Sequence, residues 1–111
     1  MTVSTKFIEN ADAAAAFLML MGNAKRLVIV NHLLQGEMSV GAIAEKVPLS
    51  QSALSQHLAK LRASDLVQTR RDRQMIYYSC KSEMVRALLK TLDAVFDDVE
   101  TMEPVLRRTG T

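Results

Sequence analysis

The stretch Pro48-Leu49-Ser50-Gln51-Ser52-Ala53-Leu54-Ser55-Gln56-His57-Leu58-Ala59-Lys60-Leu61-Arg62 decides the fold. Pro48 ends any helix that reaches it, because proline lacks an N–H donor and disfavours helical geometry in the residue before it. Ser50 is a good N-cap, and Leu54, Leu58 and Leu61 follow at helical spacing, which predicts a helix from Gln51 to about Ala63. At about 100° per residue these leucines share a sector of about 60°. The opposite face carries Ser52, Gln56 and Lys60, flanked by Ser55, with Gln51 at the start. No acid occurs between Gln51 and Lys60. An amide can pair bidentately with adenine, a serine with any base edge or phosphate, and a lysine with phosphate. The alternative is a plain solvated face, which would more typically mix Glu with Lys.

Upstream, Ser39 caps a short helix, Val40 to Val47, with Val40, Ile43, Ala44 and Val47 on one face. Two short helices on either side of Pro48 have the spacing of a helix-turn-helix. Before them, Asn23 caps a helix through Leu27, Val30, Leu33 and Leu34 that closes near Gly36, and an Ala-rich helix from Phe7 to Met21 ends at Gly22. Downstream the periodicity changes. Leu66–Arg71 and Met75–Cys80 are β-prone runs separated by Asp72-Arg73-Gln74, which predicts a hairpin. Ser82 caps a last helix with Val85, Leu88, Leu92, Val95 and Val99 in its stripe, widened by Leu89 and Phe96. The expected fold is mainly α with a two-stranded β-hairpin, in the order α-α-α-α-β-β-α: a winged helix-turn-helix. Residues 1–100 are expected to form one DNA-binding and dimerisation domain, and residues 101–111 a fraying tail.

The net charge of +2 is unevenly spread. Residues 48–81 hold Lys60, Arg62, Arg70, Arg71, Arg73 and Lys81 against Asp65 and Asp72, a local excess of +4. That points to a polyanion-binding face. Arg70, Arg71 and Arg73 gather at the hairpin tip, where guanidinium groups would pair with phosphate and enter a narrow minor groove. A charged, solvated turn is the plainer alternative. One cysteine, Cys80, excludes an intrachain disulfide and any cysteine-cluster metal site. No secretory leader is visible in Met1–Asn10, and the apolar stretch Ala13–Met21 is too short to span a membrane, so a cytoplasmic protein is expected.

The segments Gly22-Asn23-Ala24-Lys25-Arg26-Leu27, Met38-Ser39-Val40-Gly41, Leu49 to Leu58 with Leu61-Arg62, and Leu66-Val67, Arg70-Arg71 and Ile76-Tyr77-Tyr78 together resemble the ArsR/SmtB family of bacterial winged-helix repressors. The likeness spans about residues 12–98 and is greatest to the subgroup of nodulation repressors and HlyU-like regulators. That family is homodimeric and binds inverted-repeat operators. The resemblance implies contact with double-stranded DNA by Gln51, Ser52, Ser55, Gln56 and His57 on the helix, and by Arg71, Arg73 and Tyr77 in the wing. Arg26 matches the family's basic helix start, where it would touch phosphate. His57 also borders the Leu54/Leu58 face, so half-buried packing with a phosphate bond is an equal alternative to base reading.

This sequence departs from the metal-sensing members. Met38-Ser39-Val40-Gly41 stands where they carry Cys-x-Cys, and the last helix has Asp93, Asp97, Asp98 and Glu100 but no histidine. No metal and no cofactor are expected, and no small-molecule effector can be named. Cys80, at the end of a wing strand, is expected to be half-buried. Surplus apolar residues at both ends predict a homodimer interface built from Phe17, Leu18, Met21, Leu88, Leu92, Val95, Phe96 and Val99. The function that follows is sequence-specific DNA binding, with repression by a homodimer. Two alternatives stay open: displacement of another DNA-bound protein, and a winged helix used for protein contact. No catalytic set of residues assembles, so an enzyme is not expected.

Overall fold

The structure is a computed structural model that describes residues 3–98. Its elements are α1 (Thr5–Glu9), α2 (Ala11–Met21), α3 (Ala24–Gln35), β1 (Met38–Ser39), α4 (Val40–Lys46), α5 (Gln51–Ala63), β2 (Gln68–Asp72), β3 (Met75–Ser79) and α6 (Glu83–Asp97). The chain clusters into two compact units divided between Lys81 and Ser82. The proposed tail, residues 101–111, lies outside the described residues, as does Val99.

Four helices start where a short polar side chain precedes an apolar run. Asn23 Oδ1 accepts from the Arg26 N–H at 3.1 Å, and the hydroxyls of Ser39, Ser50 and Ser82 accept from Ala42, Ala53 and Val85, each at 3.2 Å. Each cap satisfies a backbone donor that the first turn leaves without a partner. At its other end α5 closes with paired reverse bonds. Asp65 N–H donates to the Arg62 carbonyl and Leu66 N–H to that of Leu61, with Asp65 in the left-handed region at φ 58°.

Two expectations are corrected. The first helix is interrupted: Asn10 Nδ2 donates to the Lys6 carbonyl at 2.8 Å, and its own N–H bonds to Lys6 and Phe7. An asparagine that bonds its own preceding turn competes with helix propagation, which separates α1 from α2. The two-stranded hairpin forms as expected from β2 and β3, but its sheet gains a third strand and its loop is shorter than the three residues expected. β1 pairs with β3 (Met38 opposite Tyr78, Ser39 opposite Tyr77), giving an antiparallel sheet in the order β1-β3-β2. The hairpin loop narrows to Arg73-Gln74, because Asp72 pairs with Met75. Arg73 takes φ 60°, the positive value that a tight hairpin turn requires at one or both central residues.

In the first unit α3 lies against α2, α5 and β3, and α4 against β1 and β3. The buried set there is Met21, Ile29, Val30, Leu33, Ile43, Val47, Leu54, Leu58, Leu61, Val67 and Cys80. Cys80 is 3% exposed, deeper than the half-burial expected, and its N–H donates to the Leu33 carbonyl. In the second unit, α6 has Val85 buried, Leu88, Leu89, Leu92 and Val95 half-buried, and Met84 and Phe96 exposed. No single helix among the described residues is long and apolar enough to cross a membrane.

Candidate nucleic-acid interface

The three leucines of α5 are buried, which turns the opposite face outward. Gln51, Ser52, Ser55, Gln56 and Lys60 are all exposed, and His57 is half-buried on the flank. The face predicted from helical spacing is therefore assembled on one surface.

His57 is held by a contact the sequence did not reveal. Arg26 Nη1 lies 3.2 Å from His57 Nδ1, and Arg26 Nε donates to the Leu20 carbonyl at 2.6 Å. A guanidinium only donates, so Nδ1 is the acceptor and the imidazole is neutral with its proton on Nε2. Burial first, then the charges of Arg26 and Lys60, hold His57 below its ordinary range. Arg26 was expected at phosphate. In this structure its guanidinium joins the end of α2, the start of α3 and the flank of α5.

The three hairpin arginines have separate fates, because side chains alternate along a strand. Arg70 grips Glu37 in a two-pronged pair: Nη2 to Oε1 at 2.7 Å, and Nε to Oε2 at 2.9 Å and to Oε1 at 3.0 Å. Its guanidinium carbon sits 4.6 Å from the centroid of the Tyr77 ring. Arg70 raises no free charge at the tip; it straps β2 across β3 to the residue preceding β1. The pair pulls the Glu37 carboxyl below its ordinary range and raises Arg70 above its own. Arg70 and Tyr77, both expected at DNA, are here the members of this strap. Arg71 projects from the other sheet face, with Thr69, Ile76 and Tyr78. Its Nε donates to the Arg73 carbonyl at 3.1 Å, which steadies the turn. Arg71 and Arg73 are exposed.

Of the residues expected to join two chains, Leu18 and Phe96 are 56% and 50% exposed, and Phe17, Leu88, Leu92 and Val95 are half-buried. Met21 is the exception at 2%. It is buried within its own chain and has little area to offer a second copy. Met19, not foreseen, is 81% exposed. Among the described residues no group of three or more His, Cys, Asp or Glu side chains converges as metal ligands would.

Residues 23–69 match the model of the bacterial regulatory protein, arsR family. The nodulation protein NolR of Rhizobium meliloti is 53% identical over 105 residues, spanning 92% of this chain and 86% of NolR. The crystal structure of NolR from Sinorhizobium fredii matches with a TM-score of 0.77 at 53% identity, over 86% of this chain and 96% of that one. The homodimeric winged helix-turn-helix DNA-binding domain of Mb0332 from Mycobacterium bovis, described as a possible ArsR-family transcriptional regulator, matches with a TM-score of 0.70 at 30% identity, over 88% of this chain and 91% of that one.

Proposed function

The chain belongs to the arsR family of bacterial regulatory proteins, DNA-binding transcriptional regulators rather than enzymes, and we propose that it is a cytoplasmic homodimeric repressor of an inverted-repeat operator. The observation that carries this reading is the exposed, acid-free face of α5 with Arg71 and Arg73 on the neighbouring hairpin. Gln51, Ser52 and Gln56 read base edges in the major groove, Lys60 and the Nε2–H of His57 meet phosphate, and Arg71 and Arg73 reach the backbone beside the minor groove. Leu18, Phe96 and the half-buried stripe of α6 pair with a second copy, in keeping with the homodimeric Mb0332 domain. Two recognition helices related by a two-fold axis meet major grooves roughly 34 Å apart, and the bound dimer excludes RNA polymerase from the promoter.

Fluorescence anisotropy against duplexes selected from a random pool tests this assignment of roles. Gln56→Ala is expected to relax base preference, losing about 1–3 kcal/mol of discrimination at the position it reads. Arg71→Ala is expected to weaken all sequences alike and to flatten the salt dependence. Identical binding by parent and both variants would remove the α5 face and the wing from the interface.

A further inference from the structure

The two flanks of α5 differ. One is closed by Arg26 and His57. The other opens into a groove of about 450 Å³ between α5 and β3, lined by Val40, Ser55, Leu58, Ala59, Arg62 and Tyr78, with Ala63 at its end. Its floor is apolar and no carboxylate lines it. Arg62 is exposed and enters no ion pair among the described residues. Arg71 extends from the same sheet face as Tyr78, so a second guanidinium that enters no ion pair among the described residues borders this side of the sheet.

We infer that this groove seats one sugar-phosphate strand of the DNA, with Arg62 as a phosphate contact beyond those already assigned. The inference rests on the DNA-binding reading above. Three features favour a nucleic-acid strand over other occupants. The groove is continuous with the candidate reading face through Ser55. Its only charge is positive. Its small side chains, Ala59 and Ala63, let a backbone approach the helix closely. A helix lying in the major groove has a phosphate wall on each side, and Arg62 faces the wall on the wing side. Helix-face spacing did not reveal Arg62, because its position borders the buried leucine stripe rather than the centre of the polar face.

The test compares the parent, Arg62→Gln and Arg62→Lys at the α5 surface, where neither change disturbs the core. Affinity for a selected duplex is measured by anisotropy across a salt series, and base preference by repeated selection. Each lost phosphate contact lowers the slope of log K against log salt by about 0.9, so a dimer carrying Arg62→Gln is expected to lose roughly two units of slope. Its affinity is expected to fall at least several-fold for every sequence, with base preference unchanged and with Arg62→Lys restoring most of the loss. A parent that binds with a steep slope while Arg62→Gln matches it in affinity and slope overturns the inference and leaves the DNA reading standing. Displacement of bound DNA by a small carboxylate that needs Arg62, with no change of slope in Arg62→Gln, overturns it in favour of an effector groove. A parent that binds no duplex overturns both.

Discussion

Asp65 occupies left-handed backbone at φ 58° at the end of α5, where glycine would be free of the steric cost borne by a side chain. Asp65→Gly is therefore expected to gain up to about 1 kcal/mol in urea unfolding, whereas Asp65→Val should lose stability. His57 gives a pH-dependent counterpart. Its folded value lies below the ordinary 6.5, so over the interval between the two values the unfolded chain binds more protons and stability rises with pH. The contribution is fully present above about pH 6.5 and is lost as pH falls through the lower folded value. The unfolding midpoint should fall less between about pH 7.5 and pH 5.5 in His57→Gln than in the parent; equal falls would remove the burial of His57 beside Arg26 as the cause. At this scale the sequence was legible wherever a side chain acts on its own neighbours. Asn23, Ser39, Ser50 and Ser82 cap the helices assigned to them. The Arg26–His57 pair joins positions 31 apart, and no local pattern marks it.

Among the elements, α5 could be read in full because burial of Leu54, Leu58 and Leu61 follows from spacing alone. The wing was harder. β1 is two residues long, too short to show an alternating pattern, and Ser39 serves at once as a strand residue and as the cap of α4. Without β1 nothing placed Glu37 near Arg70, 33 residues away, and so Arg70 was grouped with Arg71 and Arg73 at the tip although the resemblance carried over only the latter two. The strand alternation makes them inequivalent, with a measurable consequence. Arg70→Gln should leave the salt slope of DNA binding unchanged while loosening the wing, seen as faster amide exchange in β2 and β3. Arg71→Gln should lower that slope by about 0.9 per protomer. Equal slope losses for the two variants would mean that Arg70 leaves Glu37 when DNA binds.

For the whole molecule, the half-buried apolar stripe of α6 and the exposed Leu18 and Met19 of α2 are among the apolar surfaces that the described residues leave open. The surplus on α6 and at Leu18 was visible in the sequence; the exposure of Met19 and the inward position of Met21 were not, because the α2 periodicity does not distinguish residues near the helix end. Sedimentation is expected to show twice the 12.3 kDa chain mass for the parent, with Phe96→Glu shifting it toward the monomer. The dimer, the reading helix and the wing meet in one claim: that two copies of the α5 face read one operator. Selection of bound duplexes from a random pool by the parent protein tests it most directly. The account predicts an enriched inverted repeat whose half-site centres lie about 10–10.5 base pairs apart, or a multiple of that, bound with a steep salt dependence. A pool that remains random after repeated selection would contradict it.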